Sequence, residues 1–492
     1  MAVQTLPYNN LIHIDRRLDI PVFKQVADGF IKLIENKKLK PGVELPSTRQ
    51  LAQMLKLNRS TTVAAYDQLN IMGWIVTSPR KAVLVAHKLP IITPQSFNEN
   101  VNKNDSNPFY NQINTVKSDI LSRPYHLVIN DGYPDARIAP LQILADTYKS
   151  LQGKYYKHIG IISEPSIGST LLRTELASFL TQTRGLDITE DHILTTRGAQ
   201  GAIFIAAQMI VKPGSKVIVG DLNYRMANKV FEQLGGDLIK VKVDENGIDV
   251  DQIEELCRTE RPDLIYLIPH HHHPTTVTLS AERRRKLLML IKEYTIPLIE
   301  DDYDYDYHYE SSPILPLASS DHDGLVIYIG SISKVLSLTI RSGFLISQPD
   351  FIWQAGKYKE LMETRGDLLL EESIGHLFQS GEMQKHINKS LKLYKSRRDS
   401  ISQMLSTRLN GLVHFTIPLG GMAIWSIFDA SVSLSKISKR LSSQGIYLND
   451  GSFYNQGNDS LNGVRIGFAS MDESETDEFI DAVVGCIDSG KV

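Results

Sequence analysis

Gly330-Ser331-Ile332-Ser333-Lys334 follows an apolar, strand-like run at 325–329, and Arg341 stands seven residues beyond the lysine. A lysine amine condenses with an aldehyde to a Schiff base, and an arginine fork clamps a phosphate bidentately. Upstream, Ile299-Glu300-Asp301-Asp302-Tyr303-Asp304 ends another strand-like run. It delivers carboxylates and a phenol where open α/β sheets bind ligands, at the C-terminal end of a strand. Thr196-Arg197-Gly198-Ala199-Gln200-Gly201 lies between a strand-like run and an apolar helical stretch, so the N–H groups of Ala199 and Gln200 can cradle a phosphate at a helix N-terminus. A lone Asp-Asp-Tyr or Gly-Ala-Gln-Gly carries little weight; their order and spacing relative to Lys334 carry more.

A site for pyridoxal 5'-phosphate (PLP) needs a Schiff-base lysine, a carboxylate that keeps the pyridine nitrogen protonated, a donor to the ring oxygen, a phosphate cradle and an aromatic face. The segment around Lys334 resembles the lysine segment of fold-type I PLP enzymes, the class I and II aminotransferases. The resemblance implies that Lys334 carries the cofactor and Arg341 grips its phosphate, with Gly198, Ala199, Gln200, Ser331 and Ser333 around it. Asp301 is the choice for the pyridinium partner, with Asp302 as the weaker competitor, and Tyr303 is the choice for the ring-oxygen donor. By the same resemblance Tyr224, in Asp221-Leu222-Asn223-Tyr224, stacks on the ring. Arg465, in Val464-Arg465-Ile466-Gly467-Phe468-Ala469, binds the α-carboxylate of a substrate or effector. His273 occupies the place before a proline where related aminotransferases often present asparagine to the cofactor oxygen. The run His270 to His273 suggests metal binding, but neighbours in an extended segment point to opposite faces and cannot all ligate one ion; no metal is expected.

The N-terminal end carries a different chemistry. Val22, Phe23, Val26, Phe30 and Ile34 recur at helical steps and predict one amphipathic helix. Ser47 can cap a second helix with Leu51, Ala52 and Leu55, and Asn58 a third that turns Val63, Tyr66 and Leu69 inward. Runs at 74–77 and 83–86 flank Ser78-Pro79-Arg80-Lys81 as a hairpin with a basic tip. This order describes a winged helix-turn-helix, whose third helix enters the major groove. Leu45-Pro46-Ser47-x-Arg49-x-Leu51-Ala52, then Asn58-Arg59-Ser60-Thr61-Thr62-Val63 and Ala65-Tyr66-x-x-Leu69-x-x-x-Gly73, resembles the GntR family of bacterial repressors. Ser47, Arg49, Arg59, Ser60, Thr61 and Thr62 are the expected recognition contacts, and Arg80 and Lys81 the wing contacts. Pro79 and Ala82 stand where the family's wing tip commonly has glycines.

Charge follows the same division. Residues 1–90 hold 13 Lys and Arg against 6 Asp and Glu, a net of +7, which leaves 40 against 50, or −10, for the remainder. A basic small domain beside an acidic large one suits a polyanionic partner for the first. Two cysteines, Cys257 and Cys486, are too few for a disulfide framework. No apolar run is long enough to span a bilayer, and a cytoplasmic location is expected. The sequence predicts three parts: a winged helix-turn-helix over 15–87, an Asn-rich linker over 88–123, and a PLP-binding domain over 124–492. In the last, strand-like runs at 193–196, 216–220, 264–268, 297–300 and 325–329 alternate with helical stretches, the pattern of an α/β fold with a mainly parallel central sheet.

Both resemblances in this order match the MocR-type subfamily of GntR regulators. That implies a head-to-tail homodimer on an operator of double-stranded DNA, with an amine, an amino acid or PLP itself as effector. Where γ-aminobutyrate-responsive members carry an arginine two residues after the stacking tyrosine, this chain has Met226. The alternative reading is a working aminotransferase with an accessory DNA-binding domain. A large domain that only dimerises would leave Lys334 idle.

Overall fold

The computed structural model describes residues 6–77, 82–90, 124–155, 166–310, 314–455 and 461–488. Arg80, Lys81 and the stretch 91–123 lie outside the described residues. The chain divides into two compact units, Met1–Gln112 and Ile113–Val492.

In the first unit, helix α1 (Val22–Glu35) packs Val26, Phe30 and Leu33 into a core shared with Leu51, Ala65, Tyr66 and Leu69. Helix α2 (Thr48–Leu55) begins at Ser47, whose hydroxyl accepts from the Gln50 N–H while the Gln50 side chain reaches back to the Ser47 N–H. This capping box satisfies two donors that the helix itself leaves free. Helix α3 (Arg59–Ile71) starts at Asn58, whose Oδ1 accepts from the Ser60 N–H at 3.1 Å. Three short strands, β1 (Glu44–Leu45), β2 (Ile75–Val76) and β3 (Val83–Val85), form an antiparallel sheet in the order β1-β3-β2.

Two expectations on α3 are corrected. Val63 is exposed, and the inward stripe is Thr62, Ala65, Tyr66 and Leu69, because those four positions share one face at 3.6 residues per turn and Val63 falls beside it. Thr62 is fully buried, with its Oγ1 2.9 Å from the carbonyls of Thr48 and Arg59. It joins α3 to the start of α2 and has no surface to offer DNA.

The second unit is built on a seven-stranded sheet. Its strands are β4 (Ile193–Thr196), β5 (Lys216–Gly220), β6 (Asp237–Val241), β7 (Leu264–Leu267), β8 (Leu298–Asp302), β9 (Val326–Ser331) and β10 (Gly343–Ile346), in the spatial order β4-β10-β9-β8-β7-β5-β6. Only β10 runs antiparallel to its neighbours. Apart from the edge strand β6, the strands are buried on both faces, as a sheet sandwiched by helices requires. One face packs against helix α4 (Gly198–Ile210), which contributes Ala202, Ile203, Ala206 and Ala207. The helix over Val250–Thr259 and the helix over Ala281–Tyr294 cover the other. A second core forms around a smaller sheet of β11 (Val413–Phe415), β12 (Ala423–Phe428) and β13 (Gly463–Gly467), with β12 in the middle. Among the described residues no helix is long and apolar enough to cross a membrane.

Candidate functional site

A cavity of about 210 Å³ opens where β8 and β9 end and α4 begins, lined by Asp131, Tyr133, Ala199, Gln200, Tyr224, His273, Asp301, Tyr303, Ser331, Ser333, Lys334, Leu338 and Arg341. The sequence-predicted cofactor residues thus meet in one place, although they come from segments far apart in the chain.

Residues Asp301 and Asp302 are neighbours on β8, so their side chains point to opposite faces. Asp301 faces the cavity: its Oδ2 accepts from the Tyr266 hydroxyl at 2.7 Å, and its buried Oδ1 has no partner. Asp302 turns away, to the Tyr328 hydroxyl at 2.9 Å and His270 Nδ1 at 3.1 Å. The alternation selects Asp301 over its competitor. Burial raises the Asp301 carboxyl to about 7, against the Tyr266 hydrogen bond and with help from Asp302 and Asp304.

Lys334 is delivered by the turn after β9 and donates to the Gly132 carbonyl at 2.7 Å. Its ammonium also lies 5.0 Å from the Tyr133 ring centre and 5.3 Å from that of Tyr303. Burial lowers its pKa to about 8, although Asp304 and Asp131 pull the other way. A minority of the amine, far more than for an ordinary lysine, is therefore neutral and nucleophilic near physiological pH. Gly330 precedes it because a Cβ there would fall 2.2 Å from the Phe344 ring of β10.

The phosphate end is formed by Gly198, Ala199 and Gln200 at the first turn of α4, facing Arg341. Gly198 has φ +72°, and a Cβ on it would stand 3.0 Å from Arg341 Nη2. First-turn N–H groups have no partner within their helix, so this narrow cleft presents donors and a guanidinium together. The Ser333 hydroxyl lies 2.6 Å from the Ile340 carbonyl and 3.0 Å from that of Ser342; it ties the 333–342 loop shut as well as lining the cavity. Tyr303 donates its hydroxyl to the His271 carbonyl at 3.0 Å.

The four histidines diverge. His270 sits with Asp302 and Arg284, His271 bonds Asp304 at 2.7 Å, His272 bonds Thr275 at 2.8 Å, and His273 bonds Asp131 at 2.7 Å and lies edge-on to Tyr224. His270, Glu300 and Asp302 bring donor atoms close together. Glu300, however, already accepts the N–H groups of Leu317 and Ala318, and Arg284 stands 2.9 Å from the imidazole.

Asp131 was not legible as a site residue. It lies 203 positions before Lys334 in an Asn-Asp-Gly turn, and local pattern signals only the turn. Its Oδ1 is 2.8 Å from Arg465 Nε on β13 and accepts from the Tyr454 hydroxyl at 3.0 Å. Tyr133 was missed for the same reason, and Leu338, between Lys334 and Arg341, because an apolar side chain gives no chemical signal.

On the first unit, Arg49, Arg59 and Ser60 are exposed and Thr61 is partly exposed around the start of α3, and Ser47 caps α2 beside them. Arginines and hydroxyls at a helix N-terminus are suited to phosphate oxygens and base edges.

The residues on the cavity fit PLP: an unpartnered buried carboxylate oxygen for the pyridine nitrogen, a lysine with a lowered pKa, and a cradle that a Cβ would fill. Comparison with known proteins agrees. The model for bacterial regulatory proteins of the gntR family matches residues 23–85, and the model for aminotransferase class I and II matches residues 162–483. An uncharacterized HTH-type transcriptional regulator of Bacillus subtilis, YdfD, is 26% identical, covering 92% of this chain and 94% of its own. The probable rhizopine catabolism regulatory protein MocR of Rhizobium meliloti is 23% identical, covering 96% and 95%. Among solved structures, an archaeal alanine:glyoxylate aminotransferase superposes with a TM-score of 0.69 at 27% identity, covering 74% of this chain and 91% of its own. With a GntR-type DNA-binding domain in front, the chain belongs to the aminotransferase class I and II family in the two-domain arrangement of the MocR-type regulators.

Proposed function

We propose that this protein is a PLP-dependent transcription regulator that binds operator DNA through its first unit and senses a primary amine through its second. The observation that carries the reading is Lys334, half-buried on a cavity that Asp301 and Arg341 also line, on a chain that also presents Arg49 and Arg59 at a helix-turn-helix. PLP, when bound, supplies an aldehyde that condenses with amines and absorbs visible light. Asp301 Oδ1 holds a proton at the ring nitrogen, Arg341 and the first turn of α4 hold the phosphate, and Tyr224 with His273 walls the ring. Lys334 also holds Gly132, so a change of partner at its Nζ is felt by the turn at 130–133. Two copies, head to tail, in the cytoplasm complete the reading, because helix-turn-helix domains commonly bind as dimers on two half-sites.

The test is selection of sheared genomic DNA on PLP-loaded protein, with a visible spectrum of the same preparation. Wild type enriches discrete fragments and shows a visible band. Arg59→Ala loses the fragments and keeps the band, and Lys334→Ala loses the band. Enrichment of nothing would overturn the regulatory reading. A second reading, a working aminotransferase, is favoured by the neutral fraction of Lys334 beside a complete set of cofactor residues; keto-acid formation from amino-acid donors decides it.

A further inference from the structure

Arg465 is the residue that the functional reading reserves for an α-carboxylate, yet this structure gives it a carboxylate of its own. Asp131 Oδ1 stands 2.8 Å from Arg465 Nε, while Nη1 donates to the Pro274 carbonyl at 3.2 Å and Nη2 reaches the Tyr303 hydroxyl at 3.5 Å. The contact of Nε with Asp131 is an ion pair without hydrogen-bond geometry, while Nη1 and Nη2 each have a hydrogen-bond partner from within the chain. Asp131 is in turn held by His273 Nε2 at 2.7 Å and the Tyr454 hydroxyl at 3.0 Å.

Access differs between the two partners. Asp131 lines the cavity and leaves about a third of its side chain exposed, whereas the Arg465 side chain is 2% exposed and is not part of the lining. The carboxylate thus stands between the cavity and the arginine.

The backbone keeps it there. Asn130 Oδ1 accepts from the N–H groups of Gly132 and Tyr133, its Nδ2 donates to Ser470, and its carbonyl accepts from the Gly467 N–H on the strand that carries Arg465. A Cβ on Gly132 would fall 3.3 Å from Arg465 Nη2, so the turn is pressed against the guanidinium.

We infer that Asp131 is a specificity residue that withholds Arg465 from incoming α-carboxylates, so the site selects primary amines bearing no carboxylate on the carbon next to the nitrogen. An α-amino acid would have to separate Asp131 from the buried Arg465 and bring a second negative charge beside Asp131, and leaving a buried charge unpaired is the costly direction. An amine without that group meets neither obstacle. This rests on the reading of the cavity as a PLP site, and the two fail differently.

The experiment titrates the PLP-loaded full chain with matched pairs that differ only in the α-carboxylate: phenethylamine against L-phenylalanine, cadaverine against L-lysine. The readout is the midpoint of the visible absorbance change. Wild type should respond to the decarboxylated member at a concentration lower by about tenfold or more, and Asp131→Asn should reverse that order. Arg465→Met added to Asp131→Asn should abolish the gained response to amino acids. A wild-type ratio near one, or one favouring amino acids, overturns the inference without recourse to any variant, as does an unchanged ratio in Asp131→Asn. A wild-type chain with no visible band overturns the PLP reading and the inference with it.

Discussion

The 2.7 Å hydrogen bond from the Tyr266 hydroxyl to Asp301 Oδ2 leaves Asp301 Oδ1 buried and without a partner. A buried acceptor left unsatisfied is costly, and the protonated ring nitrogen of PLP would relieve that cost. Asp301→Asn keeps the shape and removes the charge. Because hydrogen bonds to charged groups contribute about 1.5–3 kcal/mol, PLP affinity should fall roughly 10- to 100-fold, as measured by equilibrium dialysis.

The Lys334 amine titrates near 8 instead of its ordinary 10.5. In cofactor-free protein its acylation by a small reagent, followed by mass spectrometry of the peptide, should rise to a plateau through about pH 8, while exposed lysines keep rising beyond it. The lysine binds its proton more weakly folded than unfolded, so its contribution to stability is complete above pH 10.5 and is lost as pH falls through about 8. Lys334→Met should flatten that part of the stability profile.

Gly198 tests the phosphate cradle against a built-in control. Gly198→Ala and Gly214→Ala both place an alanine at positive φ, +72° and +85°, but only the first puts a Cβ against Arg341; nothing lies within 4 Å at Gly214. Both should lose roughly 1–2 kcal/mol of stability, measured by denaturant unfolding. Only Gly198→Ala should weaken PLP binding.

Thr62 and Arg59 are three residues apart on α3 and should separate stability from recognition. Thr62→Val leaves the Thr48 carbonyl without its hydroxyl donor and should cost about 1–3 kcal/mol in thermal unfolding of the first unit. Arg59→Ala should leave unfolding unchanged and lower the salt dependence of DNA binding by about one ion, read by fluorescence anisotropy across a salt series.

Features set by neighbours in sequence were legible without the fold. Ser47 and Asn58 start helices because a side-chain oxygen reaches an N–H two or three residues on, and 193–196 and 216–220 are strands because short runs rich in β-branched residues, bounded by turn residues, favour them. The motif around Lys334 and the cradle at Gly198 were legible for the same local reason. What only the tertiary structure decided depends on contacts between distant segments. Strand β10 enters antiparallel between β4 and β9, the face of β8 separates Asp301 from Asp302, and Thr62 is withdrawn from the DNA side by a carbonyl 14 residues away. The pair of Asp131 and Arg465 spans 334 positions; its geometry arises from the packing of a turn against β13, and periodicity along the chain holds no record of which distant side chain will lie opposite.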